Sequence, residues 1–124
     1  MARILVVEDD RVSREGLCRL LEAAGHEALA AENGVEALRL LSDTTVDLVL
    51  ADVYMPAMDG LELTMRLYEH HADAPVVVIM SGGGTRSASE TLEDATKLGV
   101  KHTLAKPFGA EEMIAMVDNA LAQS

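Results

Sequence analysis

The stretch that decides the fold is residues 3–10, Arg-Ile-Leu-Val-Val-Glu-Asp-Asp, in which a short apolar run ends in three consecutive acids. An apolar run without polar interruptions is typical of a strand that is covered on both faces of a sheet. Such strands belong to parallel sheets, in which a helix returns the chain from the end of one strand to the start of the next. The stretch therefore predicts a buried strand over Arg3–Val7, with acids directly after its carboxyl end.

The same unit, a short strand followed by a segment of helical periodicity, recurs along the chain. Four further strands are predicted over residues 27–31, 46–51, 76–80 and about 101–105. Helices are predicted over residues 11–24, 35–41, 60–70, 87–98 and 113–121. Right-handed crossovers between parallel strands then give an α/β, doubly wound, five-stranded sandwich with helices on both faces. The functional crevice of such a sheet lies at the carboxyl ends of its strands.

The apolar residues of the first two helices provide the predicted contacts with the sheet. The first helix is predicted to place five residues on one face: Val12, Leu17, Leu20, Leu21 and Ala24. Gly25 ends that helix, because glycine readily takes the positive φ of a helix terminus. Val35, Leu38 and Leu41 carry the second helix after an Asn33-Gly34 turn.

Length, charge and cysteine content limit the class of protein. A chain of 124 residues fits one domain, and residues 1–124 are predicted to form it without an output domain. The net charge of −11 argues against binding to nucleic acid or anionic membranes. No apolar run approaches the roughly 18 residues of a membrane span. Cys18 is the only cysteine and is predicted to pack in the core, which fits a reducing, cytoplasmic location.

Chemically capable side chains follow four of the five predicted strands. Glu8-Asp9-Asp10 follows the first strand, Asp52 the third and Ser81 the fourth, and Lys106 ends the fifth. Because these ends meet at one edge of the sheet, carboxylates that are distant in sequence should converge. Each pair of carboxylates about 4 Å apart would repel by a few kcal/mol at intermediate dielectric.

A hard divalent cation relieves that repulsion, and Mg²⁺ is held in proteins by one or two carboxylates with water and phosphate oxygens. Asp52 could then attack phosphorus and form an acyl phosphate, while the cation neutralises the phosphoryl oxygens. Lys106 offers a second positive charge and Ser81 a hydroxyl donor. Each residue taken singly is an ordinary loop or surface residue, and it is their joint order that indicates phosphoryl chemistry.

Taken together, these residues resemble the motifs of the receiver domains of response regulators. The resemblance is carried by Ile4-Leu5-Val6-Val7-Glu8-Asp9-Asp10, by Asp47-Leu48-Val49-Leu50-Ala51-Asp52 with Pro56 and Asp59-Gly60, and by Ser81 and Lys106-Pro107-Phe108. It implies a flavodoxin-like sheet of strand order 2-1-3-4-5. It also implies a signalling switch, not a turnover enzyme, that accepts a phosphoryl group from a histidine kinase or histidine phosphotransfer protein and signals to a downstream protein.

The resemblance also implies a role for each site residue. Asp52 corresponds to the phosphoacceptor, Ser81 to the switch hydroxyl and Lys106 to the phosphate-binding lysine. For Mg²⁺, Asp9 corresponds to the direct ligand, Glu8 to an acid that binds mainly through metal-bound water, and Tyr54 to a backbone carbonyl ligand. Asp10 is expected to cap the first helix. The Lys106-Pro107 peptide is expected to be cis.

Two features depart from the family pattern. Thr103 stands where the family usually has a Tyr or Phe that rotates on activation, and a short β-branched side chain cannot swing in that way. The interval from Ser81 to Lys106 is a few residues longer than usual and contains Gly82–Gly84. We therefore expect activation to order that loop and the helix over residues 87–98.

Three alternatives fit the sequence less well. A phosphatase of the haloacid dehalogenase type would need an Asp-x-Asp motif after the first strand, and usually a cap domain. A nucleotide-binding loop would need Gly-Lys-Ser/Thr after the glycine run. A pseudo-receiver that signals by binding alone would not need the intact acid, hydroxyl and lysine set. Whether the chain is a terminal output or a relay intermediate, and its oligomeric state, stay open at this stage.

Overall fold

A computed structural model of the chain describes residues 2–53, 55, 58–70, 74–81, 97 and 99–123. Its elements in chain order are β1 (Arg3–Val7), α1 (Arg11–Ala23), β2 (Glu27–Ala31), α2 (Gly34–Asp43), β3 (Leu48–Asp52), α3 (Gly60–His70), β4 (Val76–Ser81), β5 (His102–Ala105) and α4 (Ala110–Ala122). The strands pair in parallel in the order β2-β1-β3-β4-β5. The predicted fold class and strand order are confirmed.

The core consists of two layers, one on each face of the sheet. Alternate strand residues face α2 and α3 on one side, among them Leu5, Val49 and Ile79. The residues between them, such as Val6 and Leu50, face α1 and α4 on the other side. Every residue of β3 is buried, as expected for the central strand of a sheet covered on both faces.

Local signals in the sequence explain where the first two helices begin and where α1 ends. The side chain of Asp10 accepts a hydrogen bond from the backbone N–H of Ser13 at 2.9 Å and caps α1. Asn33 caps α2 in the same way, by accepting from Glu36 N–H at 2.8 Å. Gly25 follows α1 with a φ of 96°, as the sequence predicted. Asp10 therefore has the predicted capping role, and the second helix begins at Gly34, within the predicted Asn33-Gly34 turn.

The predicted apolar face of α1 is partly wrong. Leu17 and Leu21 are buried as predicted. Val12 is 79% exposed, and Leu20 and Ala24 are exposed as well. At 3.6 residues per turn, Val12 lies about 140° around the helix from Leu17, outside the stripe that faces the sheet. Val35, at 56% exposure, likewise points away from the core that α2 covers.

Two strand boundaries differ from prediction in a way that bears on the site. β3 begins at Leu48 and includes Asp52, and β4 includes Ser81. Both side chains are therefore held by regular strand backbone, where a loop position after the strand was expected. Cys18 is half-buried against the α1 and α4 layer, which supports its packing role.

Several predicted features lie outside the described residues. These are Tyr54, Pro56, Gly82–Gly84 and, apart from residue 97, the helix over 87–98. The ordering of that loop and helix on activation stays a prediction. Among the residues that the structure does describe, none of the helices has the length and apolar character needed to cross a bilayer.

Candidate functional site at the carboxyl edge of the sheet

The sheet register brings the predicted site residues to one edge. Val7 pairs with Ala51, Asp52 with Met80, and Ser81 with Ala105. Neighbouring strands lie about 4.8 Å apart, so the residues at these ends fall within reach of one another. Glu8, Asp52, Ser81 and Lys106 thus converge from four different strands, as the sequence predicted.

Lys106 lies between two carboxylates of this edge. Its Nζ donates to Asp52 Oδ2 at 2.6 Å and to Glu8 Oε1 at 3.0 Å. Its backbone N–H donates to the carbonyl of Ser81 at 2.6 Å, which ties the start of the β5–α4 connection to the end of β4. The Lys106-Pro107 peptide that follows is cis, as predicted.

Three carboxylates converge at the same point with a geometry suited to a cation. Glu8, Asp9 and Asp52 each offer an oxygen, and these oxygens lie within 4.8 Å of one another. Glu8 Oε2 is buried and makes no hydrogen bond to any described part of the chain. A buried anionic oxygen without a donor is costly, and a hard cation with its bound water would satisfy it. The donor set therefore fits Mg²⁺.

The electrostatics of the site show the cost of this arrangement. Burial, reinforced by the neighbouring Asp52 and opposed by Lys106, raises the pKa of Glu8 to about 7. Burial acts to lower the pKa of Lys106, but its hydrogen bonds and attraction to Asp52 and Glu8 outweigh that effect and raise it above its usual value. Among the described residues, the ammonium of Lys106 is shared between two buried carboxylates, an arrangement that a second cation would relieve.

The remaining predicted site residues occupy different environments. Ser81 is buried at the end of β4, and Asp9 is exposed at the start of the β1–α1 connection. Thr103 is half-buried on β5. The backbone carbonyl of Tyr54, predicted as a metal ligand, belongs to a residue outside the described ranges.

Two residues support the site in ways that the sequence analysis missed. A Cβ added to Gly60 would lie 2.5 Å from the carbonyl oxygen of Asp52, so only glycine allows α3 to begin this close to β3. Arg14 of α1 donates through Nη1 to the carbonyl of Glu8 at 2.8 Å. The only sequence signal for Arg14 was an arginine one helical turn after the acids, which does not by itself indicate such a contact.

Comparison with known proteins agrees with this geometry. Residues 4–118 match the family profile described as the response regulator receiver domain. The response regulator MprA of Mycobacterium sp. (strain KMS) is 39% identical over 113 residues, which is 91% of this chain and 47% of that protein. The chain thus spans about half the length of the curated relatives it matches.

Solved structures show the same similarity. The receiver domain of the Francisella response regulator 1452 is 28% identical, with a TM-score of 0.86 over 99% of this chain and 98% of that one. NtrX from Brucella abortus, crystallised with ADP, is 32% identical, with a TM-score of 0.88 over 98% of this chain and 27% of that one. By sequence and by fold, this chain belongs to the response regulator receiver domain family of two-component systems.

Proposed function

We propose that the protein is a phosphorylation-dependent signalling switch in which Asp52 accepts a phosphoryl group with the help of Mg²⁺. The observation that carries this proposal is the placement of Lys106 Nζ between Asp52 Oδ2 and Glu8 Oε1, beside the exposed carboxylate of Asp9. The site thus combines a nucleophile, a positive charge fixed within reach of it, and an acidic donor set for a divalent cation.

The phosphoryl group comes from a phosphohistidine of a histidine kinase or a histidine phosphotransfer protein. A carboxylate oxygen of Asp52 attacks phosphorus, the P–N bond to the donor imidazole breaks, and the imidazole leaves with the electron pair of that bond and is protonated. Bound Mg²⁺ supplies charge neutralisation for the phosphoryl oxygens. Glu8, Asp9, Asp52 and the carbonyl of Tyr54 would hold it.

Two further residues respond to the new acyl phosphate. Lys106, already 2.6 Å from Asp52, transfers its hydrogen bond to a phosphoryl oxygen. The Ser81 hydroxyl, at the end of the neighbouring strand β4, donates to another. Movement of Ser81 toward the phosphoryl group changes the end of β4, and this is how phosphorylation alters the surface that a downstream protein recognises. The switch makes and loses one acyl phosphate and is not a turnover enzyme.

We place this exchange in the cytoplasm, where the unpaired thiol of Cys18 stays reduced. Residues 1–124 form one receiver domain. The acidic charge of −11 disfavours contact of these residues with nucleic acid or anionic membranes. That argument does not extend to additional domains, and the curated relatives are about twice as long as this chain.

Transfer of radiolabel from a phosphorylated kinase in the presence of Mg²⁺ tests the phosphoacceptor. Wild type is expected to take up label and Asp52→Asn to take up none. Asp59→Asn is the matched control: Asp59 lies near the site, but its side chain accepts from Glu62 N–H at 2.8 Å, and asparagine caps a helix equally well. Label retained on Asp52→Asn would contradict the assignment.

Thermal unfolding tests the cation site without a phosphodonor. A ligand that binds only the folded protein stabilises it, by about 2.7 kcal/mol at a concentration 100 times its Kd. Millimolar Mg²⁺ is therefore expected to raise the melting temperature above its value in chelator, and Asp9→Ala should lose the effect. Equal melting temperatures of wild type in both conditions would count against the site.

A further inference from the structure

The connection between β1 and α1 carries two of the three converging carboxylates on three residues, Glu8, Asp9 and Asp10. We call these residues the acidic junction. Glu8 N–H donates to the carbonyl of Ala31 at 3.1 Å, and Asp10 is held at the start of α1 through Ser13. Glu8 and Asp9 follow Val7, the last residue of β1 that pairs with β3, and their carbonyls take a donor from outside the sheet ladder.

One side chain supplies both donors. Arg14 Nη1 lies 2.8 Å from the carbonyl oxygen of Glu8 and 3.4 Å from that of Asp9. The backbone N–H of Arg14 also donates to the carbonyl of Asp10 at 2.9 Å. Arg14 therefore contacts the carbonyl of each residue in the acidic junction, from the first turn of α1.

Asp9 is the residue for which this contact matters most. The Glu8 side chain is buried and held by Lys106, but Asp9 is exposed, and its carboxylate makes no hydrogen bond within the described ranges. The direction of the Asp9 side chain therefore depends on the backbone that carries it. Repulsion from Glu8 and Asp52 would push that backbone outward unless something held it.

We propose that Arg14 is a positioning residue, whose guanidinium holds the acidic junction so that Glu8 and Asp9 present their carboxylates to a divalent cation beside Asp52. The inference rests on the proposed function. Arg14 acts through the backbone, since its guanidinium donates to the carbonyl oxygens of Glu8 and Asp9. The planar guanidinium suits this task because one nitrogen carries two N–H donors in a fixed geometry.

The test compares three variants in the metal-free and Mg²⁺-bound protein. Arg14→Gln removes both the charge and the bridge, and Arg14→Lys keeps the charge on a flexible ammonium. Arg11→Gln is the matched control, because it removes the same charge from the same helix. The guanidinium of Arg11 pairs with Glu15 on the surface, at 3.0 Å. Global stability, measured by urea unfolding, shows that each variant is folded.

Two measurements decide the matter. The Mg²⁺ dissociation constant, from titration without phosphodonor, is expected to rise about tenfold in Arg14→Gln and about threefold in Arg14→Lys, as for other partners that orient metal ligands. Arg11→Gln should change it by less than about twofold. In chelator, the backbone order parameters of Asp9 and Asp10 should fall below the rigid value of about 0.85 in Arg14→Gln alone.

The proposal is overturned if Arg14→Gln has the same Mg²⁺ affinity and the same order parameters as Arg11→Gln. It is also overturned if the acidic junction of Arg14→Gln is mobile but the Mg²⁺ affinity equals that of wild type. If Arg14→Gln fails to fold, Arg14→Lys decides: a rise in Kd of less than about twofold overturns the proposal, and a larger rise supports it. A wild type that binds no Mg²⁺ would refute the metal part of the proposed function. The order parameters would then still show whether Arg14 holds the junction.

Discussion

The two ends of the sheet carry charged residues in very different environments. At the amino end, Arg3 and Glu27 form an ion pair of 2.6 Å with side chains 42% and 56% exposed. Arg3 N–H also donates to Asp47 Oδ2 at 2.8 Å. Each of these charges has a partner and remains in contact with water, so the cost of placing it there is small.

At the carboxyl end, one ammonium faces two carboxylates that have lost nearly all contact with water. The side chains of Glu8 and Asp52 are only 2% and 7% exposed, and Glu8 Oε2 has no donor within the described structure. Within the described residues these two carboxylates share one ammonium, and buried carboxylates that outnumber their counter-charges destabilise a fold. The carboxyl end therefore carries a cost in stability that the amino end does not, and the proposed binding of a cation and a phosphoryl group accounts for it.

Loss of Lys106 should have the largest effect on stability. Lys106→Met removes the ammonium that Glu8 and Asp52 share, and it should lower the free energy of unfolding in chelator by about 2 kcal/mol. The loss is smaller than for a fully buried ion pair because the lysine is partly exposed. Mg²⁺ should recover part of the loss. Lys101→Met, an exposed lysine at the other end of β5, is the control and should change stability by less than about 0.5 kcal/mol. Equal losses of stability in Lys106→Met and Lys101→Met would mean that charges at the two ends of the sheet do not differ in their cost.

The close approach of α3 to Asp52 gives the next largest effect. Gly60→Ala places a Cβ 2.5 Å from a backbone oxygen that cannot rotate away, so β3 and α3 must separate. We expect the free energy of unfolding to fall by about 1.5 kcal/mol, measured by chemical denaturation, with slower phosphorylation of Asp52. Gly16→Ala, in α1 with nothing within 4 Å of the added Cβ, should instead stabilise the protein by about 1 kcal/mol. If neither Gly60→Ala nor Gly16→Ala lowers the stability, the close approach of Gly60 to the carbonyl oxygen of Asp52 does not constrain the site.

Neutralising Glu8 should stabilise the metal-free protein. Because the pKa of Glu8 is raised to about 7 from its ordinary value of 4.5, the folded protein binds this proton more tightly than the unfolded chain does. The contribution of Glu8 to stability therefore falls as pH rises from 4.5 to about 7, and its cost is fully present above that range.

Glu8→Gln removes this cost, so in chelator at pH 8 the variant should be more stable than wild type by about 1 kcal/mol, with the difference vanishing toward pH 4.5. Its response to Mg²⁺ should weaken. Glu32→Gln, at an exposed glutamate, is the control and should follow wild type at every pH. If Glu8→Gln is less stable than wild type at pH 8, the buried carboxylate of Glu8 does not destabilise the metal-free fold.

The smallest effect is expected at the amino end. Glu27→Gln removes the exposed partner of Arg3 and should shift the melting temperature by less than about 2 °C at physiological salt. High salt should erase even that shift, because it screens exposed charges. A larger shift that persists in salt would mean that the amino end also depends on its ion pairs.

Much of the fold followed from short-range signals. Apolar runs predicted the first, third and fourth strands, and two weaker segments, residues 27–31 and 101–105, were predicted as the others. Runs that are apolar on both faces predicted a parallel sheet covered on both sides. The positive φ of Gly25 was predicted from the chemistry of a single residue, and the capping role of Asp10 from the family resemblance. The order of acids, hydroxyl and lysine after successive strands, with the family resemblance, predicted the site residues that the sheet register then brought together.

Other features were decided only by tertiary structure. Val12 and Val35 are apolar yet exposed, because the position of a helix stripe relative to the sheet determines which residues it buries. The sharing of Lys106 between Glu8 and Asp52 depends on side chains 98 and 54 residues away in sequence. The contacts of Gly60 with Asp52 and of Arg14 with the acidic junction depend on how closely two helices approach the sheet.

The division has a physical reason. Periodicity, caps and turns reflect forces that act within a few residues. The sequence by itself therefore determined the secondary-structure elements, their order and the edge of the sheet at which the site residues lie. The burial of Glu8 and the excess of negative charge around Lys106 arise from packing between distant segments. Only the tertiary structure decided them, because desolvation and Coulomb energies depend on positions in space and not on separation along the chain.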